Sequence, residues 1–268
     1  MATLPHSVTL NRRRLLTDVP PFRPVAVQLL RLIDGPSQDL ARIVALLRSD
    51  AVMAAELMRA ANSPLFRSRY EIASPLQALV YLGLERVKAL VATTAMKALA
   101  DATHSGFTYA CWRHNLATAL ICQKLSASAN LPSERCYIGG LIHDIGRLAL
   151  LAVFPEYEHL ELLATERELF GLDHAQAGCW LLSQWGCPIE MQNIAAFHHN
   201  PAAAPKFDRA VVSLVHLGSH LADQMGMSVF PSARRSHLAD AGVGPSLDIA
   251  DIAEWVATRV NGMEASLV

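Results

Sequence analysis

The sequence predicts an all-α protein, and three observations carry that prediction. Almost every segment repeats apolar residues at helical spacing, strand-like alternation bounded by Asn-Gly or Asp-Gly turns is absent, and polar caps with Pro or Gly stops punctuate the repeats. The 268 residues suffice for a substantial buried core, in one large domain or two ordinary ones. With 52% hydrophobic and 18% charged residues the chain falls among globular proteins and leaves little scope for long disorder.

Taken in order, Ser37 opens a helix running to Arg48, with Asp39 near its start, where negative charge suits the helix dipole. Asp50 reads as the N-cap of a helix over Ala51 to Ala61, stopped by Asn62-Ser63-Pro64. Ser74-Pro75 is a cap followed by proline at the first helical position, and that helix ends near Gly83. A long apolar helix follows from Glu85 to about Ala102, then a polar break at Thr103 to Gly106. The next long helix surrounds His114, from Tyr109 to Ala129, and Ser133 caps the one after it. Further helices are expected over Pro155 to Glu168, His174 to Trp185, Pro188 to His199, Arg209 to Met225 and Leu247 to Val260. Pro201 to Pro205 reads as a linker, and Phe230 to Pro245 as a less regular stretch. The breaks divide the chain into 1–103, an N-terminal helical lobe, 104–226, a second helical lobe, and 227–268, a C-terminal extension.

Several function classes recede on composition alone. A net charge of -1 gives no electrostatic footprint for nucleic acid or an anionic membrane. The short basic runs Arg12-Arg13-Arg14 and Arg234-Arg235 read as solvated segments. Five widely spaced cysteines without a C-x-x-C point to neither a disulfide framework nor a zinc knuckle, and fit a reducing cytosol. The start of the chain lacks an apolar signal region, and no apolar run reaches the roughly 20 residues of a membrane span, so a cytoplasmic protein is expected. The cysteines and Trp112, Trp180 and Trp185 read as core residues.

The sharpest feature is Gly140 to Leu150, GLIHDIGRLAL, where His143 and Asp144 interrupt an apolar helix pattern of small residues. Two ionisable groups there need hydrogen bonds, charge partners or a metal. Of the eleven histidines, His114, His174, His198 and His199 also lie in apolar helical surroundings. Imidazoles with one carboxylate suit Mn, Fe, Co, Ni or Zn, and Mg less well. A lone histidine on an apolar helix face, such as His114, His174 or His199, is more often a satisfied core or surface residue than a ligand, and His198-His199 also reads as a helix C-terminus that favours cationic histidine.

These residues, in this order, resemble the HD superfamily of metal-dependent phosphohydrolases, and its HDOD branch most. The resemblance covers Pro20 to Asp223 through DAVMAAELMRAANSPLF (Asp50 to Phe66), IASPLQALVYLGLERVKAL (Ile72 to Leu90), Trp112-Arg113-His114, GGLIHDIGRLAL, Glu168 to Gly178, Trp185-Gly186-Cys187-Pro188 and His198-His199. It implies a multi-helix bundle with an added N-terminal helical lobe, and metal positions at His114, His143, Asp144, His174, His198 and His199. Two departures stand out. The final carboxylate of catalytic members falls on Ser219, with Asp223 one helical turn further and expected outside the coordination sphere, and the common Lys after the His-Asp pair is Arg147. The Gly-Tyr-Pro signature of the relatives that cleave cyclic di-GMP is replaced by Asn200-Pro201-Ala202-Ala203-Ala204-Pro205. The resemblance therefore implies a bacterial signalling or regulatory module acting on partner signalling proteins, with a metal pocket either retained or degenerate and then empty of metal. The alternative is a metal-dependent phosphohydrolase of a nucleotide or other phosphate ester, with Arg147 as the phosphate-pairing candidate. The sequence leaves the oligomeric state, homo-oligomers included, open.

Overall fold

Helices alone make up the regular structure of residues 19, 23–35, 38–63, 66, 69–101, 106–154, 163–230 and 249–266, the residues described by this computed structural model. The first helix, α1 (Pro24–Asp34), is one the sequence reading does not assign. It starts on Pro24 with no side-chain cap from Arg23, so the usual start signal is missing, although Ala26, Val27, Leu30 and Ile33 form a buried stripe. Helix α2 (Leu40–Ser49) begins after Asp39 rather than at Ser37, because the Asp39 carboxylate accepts the Arg42 N–H at 3.0 Å. Asp50 caps α3 (Ala51–Asn62) in the same way through Met53 and also pairs with Arg23 at 3.1 Å. Ser74 caps α4 (Pro75–Leu82), and Gly83 ends it in the left-handed region at φ 79°, which glycine adopts without strain.

Two long helices follow, α5 (Leu84–Asp101) and α6 (Gly106–Ser126). Most of the expected break between them, 102–105, lies outside the described residues. Helix α6 is buried on nearly all sides and packs most extensively on α7 (Ser133–Ile142). Ser133 is the first helical residue of α7, not its cap; Pro132 holds the cap position without a side-chain bond. The run expected as one helix through the His-Asp pair is broken there, and α8 (Ile145–Val153) resumes after it. Next come α9 (Leu163–Phe170), α10 (His174–Gln184), α11 (Ile189–Phe197), a 3-10 turn at Pro201–Ala203, α12 (Arg209–Ala222) and α13 (Ile249–Ser266). A π turn at Asp223–Met227, with Gly226 at φ 80°, ends α12 before Met225. The first half of the expected Pro155 helix, most of the Phe230 to Pro245 stretch and both basic runs lie outside the described residues.

One apolar cluster runs from Val19 to Val260 through all these helices. Helix α5 packs on α1, with a Lys88–Asp34 ion pair, and joins the N-terminal helices to the rest through α6 and α7; Arg31, whose Nε donates to the Gly186 carbonyl, makes a second link. The stretch Ser133–Val153 has the length and hydropathy of a membrane span, and 89% of it is buried inside the fold.

Candidate metal centre

Two glycines bring the site together. A Cβ on Gly140 would lie 2.7 Å from the Ala119 backbone, and a Cβ on Gly146 would collide with the backbone of His174 and lie 2.7 Å from Gly178 N. Close approach of α7 to α6 at the first, and of α8 to α10 at the second, thus sets the His143-Asp144 junction between His114 on α6 and His174 on α10. The helix break does the rest: neighbours on one continuous helix point about 100° apart, whereas here both side chains turn into the same interior.

The histidines are oriented through their outer nitrogens. His143 Nδ1 donates to the Gly140 carbonyl at 2.7 Å and His198 Nδ1 to the Ala195 carbonyl at 2.9 Å. A carbonyl only accepts, so both rings carry their proton on Nδ1 and aim an Nε2 lone pair inward. His174 Nδ1 reaches Glu166 at 2.8 Å, and Glu166 also accepts the His174 backbone N–H at 2.7 Å. His174 opens α10 at an Asp173 cap completed by Gln176, a reciprocal capping box. The His198 carbonyl accepts from His216 Nδ1 at 2.7 Å, which secures the turn after α11.

Lone pairs then converge on one carboxylate. Asp144 Oδ1 lies 3.1 Å from His174 Nε2 and 3.3 Å from His198 Nε2, and His174 Nε2 lies 2.7 Å from His199 Nε2. His143 Nε2, His198 Nε2 and Asp144 Oδ1 are buried without a hydrogen-bond partner among the described residues. Burial drives His143 well below its ordinary value, against the pull of Asp144, and burial also lowers His198. Burial would raise Asp144, but Arg147, His174 and His143 outweigh it and hold the carboxyl well below the usual range. Burial and Arg147 oppose a charge on His174, yet Asp144 and Glu166 hold it above its ordinary value. Neutral imidazole lone pairs packed around an anionic oxygen require a cation, either a proton on His174 or a metal ion. This donor set fits a divalent metal of the Mn to Zn series.

All six sequence-predicted positions are brought together, in two groups that share Asp144. Asp144, His174, His198 and His199 form one, and His114, His143 and Asp144 the other, each with ligand atoms within 4.8 Å of one another. The second group is closed on one side. His114 Nδ1 donates to the Met227 carbonyl at 3.0 Å, and its Nε2 lies 3.2 Å from the Ser219 hydroxyl, which can only donate to it. Asp223 reaches His114 too, but at Nδ1 and 3.5 Å, and it belongs to neither group. Arg147 is buried, with Nε donating to Asp144 Oδ2 at 2.7 Å and a second nitrogen 3.5 Å from Glu166, so it is engaged inside the site.

Sequence reasoning missed Glu166, the Met227 carbonyl and the backbone approach at Gly140. A charged residue with no exposure is a signal only a structure reveals, and Glu166 is 0% exposed. Trp112 is fully buried, Trp180 and Trp185 pack against the core, and four of the five cysteines are buried, as core residues.

The HDOD domain family matches residues 19–201. A protein of Treponema pallidum (strain Nichols) with no assigned role is 24% identical over 75% of this chain and 41% of its own length, so the chain spans about two fifths of that curated relative. Among solved structures, an HDOD domain protein of unknown function from Geobacter sulfurreducens superposes with a TM-score of 0.69 at 19% identity, covering 96% of this chain and 95% of its own. A candidate phosphohydrolase from Shewanella amazonensis SB2B gives 0.69 at 22% identity, over 97% of both chains. A candidate signal transduction protein from Marinobacter aquaeolei VT8 gives 0.74 at 19% identity, over 97% of this chain and 65% of that one. At these identities the solved structures establish the fold.

Proposed function

Because this chain belongs to the HDOD domain family, we propose that it is a non-catalytic signalling module that acts through contact with partner signalling proteins. In this reading one divalent metal ion is held by Asp144, His174, His198 and His199, as a fixed part of the core. The observation that carries it is the pairing of His114: with Ser219 on one nitrogen and Met227 on the other, the second group is left with one imidazole, His143, and Asp144, which it shares with the first. The engagement of Arg147 with Asp144 adds support, since a phosphate would have to displace that bond. Protein contact is supported by α4, which exposes Leu76 and Val80 one helical turn apart. A cytoplasmic setting fits the free cysteines.

A second reading, a metal-dependent phosphohydrolase, is favoured by the unpartnered Nε2 of His143 beside Asp144. Bound metal would there polarise a phosphoryl oxygen and lower the pKa of water. The two readings part in one experiment. Purified protein assayed with bis(p-nitrophenyl) phosphate in Mn or Fe is expected to show no turnover above background, while Ser219→Asp gains metal at the second group. Turnover by the unsubstituted chain that disappears in His143→Ala and Asp144→Ala overturns the non-catalytic reading.

A further inference from the structure

Helix α12 carries two histidines that the core site does not use. His216 and His220 lie four residues apart, so they are neighbours on one face of the helix. Both are half-buried, and neither belongs to the two groups around Asp144. Their rings meet edge to face with centroids 4.5 Å apart. Two imidazoles at this spacing on a helix make a chelating pair for zinc and its neighbours in the transition series.

His216 is oriented as a metal ligand is. Its Nδ1 donates to the His198 carbonyl at 2.7 Å, so the ring proton is fixed there and the lone pair lies on Nε2, which no described residue bonds. Donation of the other ring N–H to a backbone carbonyl is a usual support of a ligating histidine, and the same device holds His143 and His198. Burial lowers His220, with His216 and His114 adding to it against the pull of Asp223, so this ring is a neutral imidazole at pH 7, the form that ligates. Half-buried Asp223, three residues beyond His220, continues the same helix face and adds negative charge beside the pair.

A tetrahedral zinc ion about 2.0 Å from each of two nitrogens separates them by about 3.3 Å, a span within reach of rings 4.5 Å apart between centroids. We infer that His216 Nε2 and an imidazole nitrogen of His220 hold a second divalent ion, zinc or a close neighbour of it, on the outside of α12, with water filling the remaining positions. Two half-buried imidazoles hold an ion more loosely than the four donors gathered in the core. The outer site therefore fills only while metal is supplied in solution, and chain passed through gel filtration keeps the core ion alone. Metal on Nε2 makes the Nδ1 proton a stronger donor to the His198 carbonyl, so a filled outer site braces the turn that carries two core ligands.

The test titrates the gel-filtered full chain with zinc chloride by calorimetry, beside His220→Ala and His198→Ala. The unsubstituted chain is expected to show one event with a Kd on the order of 10 µM, weakened about tenfold or more in His220→Ala. That substitution places the best helix former at a half-buried position of α12, and an unchanged helical circular dichroism spectrum checks that the fold survives. His198→Ala gives up a core ligand but keeps the backbone carbonyl that orients His216, so the event is expected to persist there. Failure of the outer site and failure of the core reading are thereby told apart. No event tighter than about 1 mM overturns the inference, as does an event unchanged in His220→Ala or one that vanishes in His198→Ala.

Discussion

The two halves of the histidine site share Asp144 and differ in what their imidazoles face. Around His174, His198 and His199 the outer nitrogens of His174 and His198 are held by Glu166 and by the Ala195 carbonyl, and the inner nitrogens meet one another and Asp144 at 2.7 to 3.3 Å. Around His114 both nitrogens are already paired within the chain, to Met227 and Ser219. The first arrangement leaves lone pairs that only a cation satisfies; in the second, His114 is fully paired and only His143 Nε2 remains open beside the shared Asp144. Ser219, where the resemblance expects a carboxylate, offers no anionic ligand, and its hydroxyl also consumes the lone pair of His114 opposite.

Substitutions that separate these halves range widely in size. Asp144→Ala should have the largest effect, since it removes the shared ligand and the nearer of the two carboxylates that hold buried Arg147, leaving it Glu166 at 3.5 Å; breaking a buried ion pair costs about 3–5 kcal/mol, read as a lower denaturation midpoint. A small loss with metal binding intact would show that Asp144 does not join the halves. Gly140→Ala forces a methyl group against the Ala119 backbone, and overpacking of this kind costs about 1–3 kcal/mol. Chemical denaturation should show that loss together with weaker metal binding, because His143 and Asp144 move with α7. Glu166→Gln keeps the shape beside His174 but weakens its orientation, and removal of such an outer partner lowers metal affinity by roughly 10–100-fold. Competition against a chelating dye would reveal it, and an unchanged affinity would separate His174 from the metal.

Far from the site, Asp50 supplies the smallest and cleanest contrast. Burial would raise its carboxyl, but the Met53 N–H and the Arg23 guanidinium prevail and hold it below the ordinary value. Its contribution to stability is therefore present above the unfolded pKa and lost as pH falls through the lower folded pKa. Asp50→Ala should cost about 1 kcal/mol at neutral pH, and the difference from the unsubstituted chain should shrink on acidification below that range. A gap that widens in acid would contradict the assignment.

Much of this was legible in the sequence, for reasons that particular residues make plain. Helices such as α3 and α4 announce themselves because Asp50 and Ser74 sit at their starts and Gly83 at an end. Helix α1 does not, because Arg23 supplies no cap and only the buried stripe marks it. The six site positions could be named from the resemblance, yet their division into two groups could not. That division depends on a helix break between Ile142 and Ile145, and on the Met227 carbonyl arriving from a π turn that periodicity reads as continuing helix. Glu166 lies eight residues before His174, and its hold on that ring exists only once α9 and α10 are packed.

Metal stoichiometry in three proteins, the unsubstituted chain, His198→Ala and His114→Ala, tests the central claim most directly. The asymmetry of the two halves predicts one divalent ion per chain, lost in His198→Ala and retained in His114→Ala. Two ions per chain, or loss of the ion in His114→Ala with His198→Ala unaffected, would contradict it.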